Sequence, residues 1–232
     1  MYYSQHKQDE YLDNYVFNSM ESGYFVDIGA YDGVSYSNTY FLEKNRKWTG
    51  ICVEPLPKQF TKLQKNRECQ LVNGVVSDKD VEQVEFCELD GYCEMLSGII
   101  DNYSDEHAAR IYNEQRDLNE EHLRNKIKVP NYRCGQLQAC EKIDLLSIDI
   151  EGGELDLIKD IDMGKYQINA IVIEDDSNSK ELRQTLENND YNYIARLGSD
   201  VLFVHDRYME NVNNDRPAGV SIRGELLAAA QK

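Results

Sequence analysis

Carboxylates stand at the ends of several apolar runs, and their spacing is the first clue to chemistry. The run LLSIDIEGGE closes with Asp149, Glu151 and Glu154, and the run NAIVIEDD closes with Glu174, Asp175 and Asp176. Three consecutive acids at a strand end repel one another unless something supplies positive charge. A divalent cation at Asp149, Glu174 and Asp175 would do so, and hard oxygen ligands suit magnesium or manganese. The competing reading makes Glu174 to Asp176 a solvated loop start that caps the helix SKELRQ.

A second constellation lies near the N-terminus. Phe25-Val26-Asp27-Ile28-Gly29-Ala30-Tyr31-Asp32-Gly33 is an apolar strand running into a glycine turn, with a helix predicted to open at about Ser35 to Asn38, around Ser37. Glycine serves where the backbone takes unusual dihedrals or approaches a ligand closely, and a helix start offers free N–H groups to an anion. The Gly-x-x-x-Gly spacing is not the dinucleotide fingerprint. The acid two positions before Gly29 would disfavour a pyrophosphate and favour a cationic cofactor. Glu54, closing the next apolar run TGICVEP, is placed to accept hydrogen bonds from the ribose hydroxyls of an adenosine. Ser77 and Asp78, at the end of VNGVVSD, are candidates for the adenine amino group.

The elements that must position these residues alternate. Strand and helix signals follow one another through most of the 232 residues, the pattern of an α/β fold with a mostly parallel sheet. Residues 5–21 read as a helix with Tyr11, Tyr15 and Phe17 on its apolar side. The last two strands, YNYIARL and DVLFVH, are joined by a hairpin turn at Leu197 to Asp200. Residues 91–134 break the alternation. Within them 104–126 is charged and helix-forming, with Ile111 and Leu118 as its apolar anchors, and reads either as a plain insertion or as a lid. The main domain is predicted over residues 1–208. The tail 209–232 reads as loosely structured, which would suit a linker within a larger multidomain polypeptide.

The runs VDIGAYDGVSYSNTYFLEK, WTGICVEPLPKQFTKLQKNR, NGVVSD and KIDLLSIDIEGGELDLIK, with the opening SQHKQDEYL, resemble the FkbM-type S-adenosylmethionine-dependent methyltransferases. The resemblance implies a doubly wound, seven-stranded, mostly parallel sheet with an antiparallel last strand, here carrying a helical insertion. It implies S-adenosyl-L-methionine as cofactor, with Gln5, Asp27, Gly29, Tyr31, Gly33, Ser37, Glu54, Ser77, Asp78 and Asp149 around it. Tyr31 departs from the asparagine common at that position. The implied acceptor is a hydroxyl of a small molecule or glycan. An in-line displacement needs the acceptor oxygen aligned and its proton removed. The bound ion would assist; otherwise Glu151 or His205 would act as base.

Charge and composition narrow the field. A formal charge of −17 with no local basic patch argues against nucleic acid or an anionic membrane as partner. No stretch reads as a membrane span. The six cysteines form no metal or redox motif, and a reducing cytoplasm is the simplest compartment. A nicotinamide-dependent oxidoreductase, and a non-catalytic domain retaining the fold, are the alternatives; binding of S-adenosylhomocysteine, a nicotinamide cofactor or neither separates the three.

Overall fold

The computed structural model describes residues 1–117, 124–220 and 226–227. In chain order the main elements are helix α1 (Gln8–Tyr11, continued as a π turn over Leu12–Val16), β1 (Tyr24–Ile28), α2 (Tyr40–Arg46), β2 (Thr49–Glu54), α3 (Pro57–Asn66), β3 (Gln70–Asn73) and β4 (Val75–Val76). Then come β5 (Gln83–Leu89), β6 (Gly98–Ile99), α4 (Asp105–Asp117), β7 (Arg124–Tyr132), β8 (Lys142–Ile148), α5 (Glu154–Asp160) and β9 (Gln167–Glu174). The chain continues through α6 (Lys180–Glu187), β10 (Tyr191–Leu197), β11 (Asp200–His205), β12 (Gly219–Val220) and β13 (Leu226–Leu227).

The main sheet has nine strands among the described residues: seven form its doubly wound body in the order β3-β2-β1-β8-β9-β11-β10, with β11 antiparallel to both neighbours, and β12 and β13 extend it beyond β10. Both faces of its central strands are buried, which is why these segments read as unbroken apolar runs. Val26, Ile28, Leu146, Ile148, Ile171 and Ile173 pack on one face with Leu157 and Leu182 from α5 and α6. Phe25, Leu145, Ala170 and Val172 pack on the other with Tyr11, Leu42 and Leu63 from α1, α2 and α3. The chain leaves β1 towards β2 on one side, while β8 and β9 lie on the other. That reversal places a crevice at the carboxyl ends of β1 and β8, where ligands sit in such sheets.

Several segments differ from expectation. The α-helical part of 5–21 is confined to Gln8–Tyr11, followed by the π turn. The insertion is not simply helical: β5 pairs antiparallel with β6 and β7, and β4 pairs with β7, forming a second sheet. Helix α4 covers the first part of 104–126, and Ile111 packs against Leu89, Cys93 and Leu96. Leu118 lies outside the described residues. Residues 124–126 belong to β7, where Lys126 and Lys128 face water while Val129 is buried, the alternation of a half-buried strand. The tail does not trail away through residue 220. Val212 is buried, Tyr11 donates to the Pro217 carbonyl at 2.8 Å, and β12 extends the sheet beside β10. Among the described residues no helix is long and apolar enough to cross a membrane.

Candidate active site

The turn after β1 is shaped by contact with its neighbours. Gly29 has φ 91°, its N–H donates to Val53 O at 3.0 Å, and a Cβ there would fall 1.7 Å from the carbonyl oxygen of Asp149. No side chain fits between these strand ends. Gly33, φ 83°, is closed in by Leu63 and Arg67. Between them, Tyr31 adopts φ 50° and points its N–H at Glu54 Oε2, at 2.8 Å. Leu56 N–H donates to the other oxygen, also at 2.8 Å. Glu54 is thereby fixed in place, and each oxygen keeps a lone pair for a further donor. Burial pushes its pKa up to about 7 against the pull of the two N–H groups, with Glu94 and Asp27 adding to the rise.

Glu54 lines a cleft together with Gly29, Tyr31, Leu56, Val75, Val76, Phe86, Glu94, Ile99, Asp149 and Glu151. Its apolar lining of Leu56, Val75, Val76, Phe86 and Ile99 suits a flat base. The Glu54 acid suits a pair of hydroxyls. The residues present thus fit an adenosine cofactor.

Not every residue expected around the cofactor reaches this cleft. Strand alternation turns Asp27 away from the side on which Ile28 lines it. Asp27 accepts from Thr39 Oγ1 at 2.5 Å, with Arg67 at 4.0 Å, so its charge is answered within the protein and is not offered to a ligand. Ser37 accepts from the N–H groups of Thr39 and Tyr40 just before α2. That helix begins at Tyr40, not at 35–38, because Asp32 captures the N–H groups of Val34 and Ser35. Gln5 is exposed; its neighbour Gln8 points inward, donating to Asp200 Oδ2 at 3.0 Å. Ser77 donates to Asn131 Oδ1 at 2.7 Å, and Asp78 is exposed. Neither lines the cleft, since β3 ends at Asn73 and residue 77 follows the short strand of the second sheet.

The reacting end lies beyond β8. Glu151, Gly152 and Gly153 take φ of 56°, 119° and 99°, and Asn102 from the insertion donates to Gly152 O at 3.0 Å. This tight turn brings Glu151 back towards Asp149. Carboxylate oxygens of Asp149, Glu151 and Glu174 lie within 4.8 Å of one another. Asp149 opens onto the cleft with protein packed behind it. Asp149 is itself exposed to solvent; the protein packed behind it, then the Glu151 and Asp200 charges, raise its carboxyl above the usual range. Glu174 is pushed up to about 11, by burial and then by Asp149 and Glu151. Glu151 rises to about 7, burial outweighing the attraction of Arg110. Glu154 turns back to accept from Gly152 N–H at 2.9 Å and so braces the turn.

Two expected members of this group are elsewhere. Asp175, one residue past Glu174, faces the opposite way: it accepts from Ser179 N–H at 2.8 Å and sits 3.6 Å from Arg196. It closes the loop before α6, and Glu151 takes the place it was expected to fill. His205 is at the wrong end of the sheet. Because β11 runs antiparallel, its first residue, Asp200, pairs with Glu174, whereas His205 pairs with Tyr191 at the far rim. There its Nδ1 accepts from Arg207 N–H at 3.1 Å. Conversely, α4 delivers His107, whose Nδ1 lies 3.5 Å from Glu151 Oε2 and whose Nε2 is 3.2 Å from Leu96 O. Arg110 of the same helix reaches Asp176 at 3.3 Å. Neither residue carried a sequence signal of its own; only the placement of their segment did.

The profile of the family described as "Methyltransferase FkbM domain" matches residues 27–193. No curated protein matches the chain. Among solved structures, precorrin-6y C5,15-methyltransferase from Geobacter metallireducens is 11% identical with TM-score 0.42, covering 82% of this chain and 83% of its own. The methyltransferase FkbM from Methylobacillus flagellatus is 12% identical with TM-score 0.43 over 81% of this chain, which spans 44% of that protein. The N-terminal domain of human METTL16 in complex with SAH is 12% identical, with TM-score 0.38, over 79% of this chain and 60% of its own. With the family profile spanning most of its length, from the Asp27 strand to the Tyr193 strand, the chain belongs to the FkbM methyltransferases and is S-adenosylmethionine-dependent.

Proposed function

We propose that the chain methylates a hydroxyl oxygen of a sugar or other glycan, assisted by a magnesium or manganese ion held by Asp149, Glu151 and Glu174. The observation that carries this reading is the convergence of those three carboxylates, within 4.8 Å, at the mouth of the cofactor cleft. When bound, S-adenosylmethionine supplies an electrophilic methyl group on its sulfonium. The protein's share is to hold the ribose hydroxyls on Glu54, keep the turn from Gly29 to Gly33 flush with β8, and exclude water beneath the insertion. Three charges so close favour either protonation or a cation, and oxygen-only ligands favour a hard ion. A Lewis acid there would ease loss of the acceptor's proton.

A second reading has support of its own. Glu151, with a pKa near 7 and a place on the cleft wall, suits a general base that works without any ion. Incubation with isotopically labelled methyl donor and a panel of sugars, with and without chelator, separates these readings by mass spectrometry. Methyl incorporation that stops in chelator and returns with magnesium or manganese is the expected outcome. Undiminished incorporation by protein shown metal-free by elemental analysis would remove the ion and leave Glu151 as base. Transfer to amines or carbon acceptors, with none to hydroxyls, would overturn O-methylation itself.

A further inference from the structure

Glu94 has no part in the chemistry described so far, yet it lines the cofactor cleft and is only 8% exposed. It belongs to the insertion, in the 3-10 turn Gly91–Leu96 that follows β5. Its own backbone is pinned from within the insertion: Ser97 Oγ donates to Glu94 O at 2.6 Å while accepting from Leu89 N–H at 3.0 Å. Its carboxylate reaches across to the main domain. Oε2 accepts from Tyr31 Oη at 2.7 Å and from Gln59 Nε2, and Oε1 accepts from Lys58 Nζ at 3.1 Å.

The origin of these donors gives the contact its meaning. Tyr31 is the residue whose N–H holds one oxygen of Glu54, and Lys58 and Gln59 lie in the first turn of α3, just after Leu56, whose N–H holds the other. One carboxylate of the insertion therefore grips both segments that frame the ribose acid. A buried carboxylate is tolerable only with its donors in place. This contact is consequently either fully made, with the insertion down on the cleft, or broken, with Glu94 in water.

We propose that Glu94 is a positioning residue for the cofactor. Acting through the Tyr31 hydroxyl, it fixes the insertion over the ribose end of the cleft and sets the rate at which S-adenosylmethionine and its demethylated product leave. Glu94 Oε2, with two donors, is filled by protein contacts, and Glu94 acts on the ligand through Tyr31.

The test is the dissociation rate of S-adenosylhomocysteine from the full chain, followed by stopped-flow displacement. Tyr31→Phe removes one hydroxyl and leaves the ring, so folding is preserved. It and Glu94→Ala are each expected to speed dissociation roughly tenfold, the scale of one charge-assisted hydrogen bond. The double variant should be no faster than Glu94→Ala alone, since both changes break the same contact. Glu94→Gln, which keeps an acceptor for Tyr31, should fall between wild type and Glu94→Ala. The KM for S-adenosylmethionine should rise in the same order. A contact that merely stabilises the fold would lower the melting temperature without moving these rates. Wild-type dissociation rates in both Tyr31→Phe and Glu94→Ala, or strictly additive effects in the double variant, would overturn the proposal.

Discussion

Glu54 holds two backbone N–H groups and titrates near neutrality, so a ribose held there, as proposed, should be bound in a pH-dependent way. Ribose hydroxyls donate to the carboxylate; protonation removes one acceptor site. Affinity for S-adenosylhomocysteine is therefore expected to weaken from about pH 8 to about pH 6, by at most roughly tenfold per pH unit. Calorimetry on Glu54→Gln should show that dependence abolished, and Glu54→Ala should cost about 1.5–3 kcal/mol of binding. His205→Ala, by contrast, is expected to leave turnover at the wild-type rate in a steady-state assay, because the residue sits on the far rim. At this scale Gly29, Glu54 and Asp149 were legible because each stands where an apolar run stops, and the carboxyl ends of parallel strands meet. Parity past a strand end was not legible: whether Glu174 or Asp175 turns inward depends on where β9 stops. The reach of His107 and Glu94 across the cleft is tertiary and leaves no local pattern.

Among the elements, the loop from Gly33 to Thr39 depends on one residue at the end of α3. Arg67 has a fully buried side chain, pairs with Glu43 at 2.6 Å, and donates to Gly33 O and Thr39 Oγ1. Arg67→Met would leave buried Asp27 without a counter-charge and Glu43 with only Lys44. It is expected to cost about 3–5 kcal/mol of stability in urea unfolding. Helix α4 has a different role. Replacing residues 105–117 with a short Gly/Ser link removes His107 and Arg110 from the acidic end while Glu94 stays. Affinity for S-adenosylhomocysteine should be nearly unchanged and turnover lost; full activity would make α4 a plain insertion. The alternating strands and helices of the main sheet were plain in the sequence because their apolar runs match the period of each element. Of the second sheet, β5 was legible in the run VEQVEFCEL, where Val84 and Phe86 alternate with glutamates, whereas the start of β7 was hidden because residues 124–126 continue a charged, helix-forming segment.

For the molecule as a whole, the elevated acids set how stability responds to pH. Glu54 and Glu151 titrate near 7 and Glu174 near 11 in the fold, against an ordinary 4.5. Folded pKa values above the unfolded ones mean stability that is present at low pH and lost as pH rises through the folded values. Glu43, held low beside Arg67, acts in the opposite sense but only below its ordinary value, so the windows do not overlap. The melting temperature of ligand-free protein in chelator is therefore expected to fall from about pH 5.5 to about pH 8, and magnesium should flatten that slope if the ion is bound. The antiparallel β11 has a practical corollary. It puts Asp200 on the rim with the cleft and His205 on the other, about 17 Å away at roughly 3.3 Å per residue. A sensor surface or resin coupled at the His205 rim would hold every molecule with its cleft outward, so an immobilised preparation should turn over substrate as freely as one in solution.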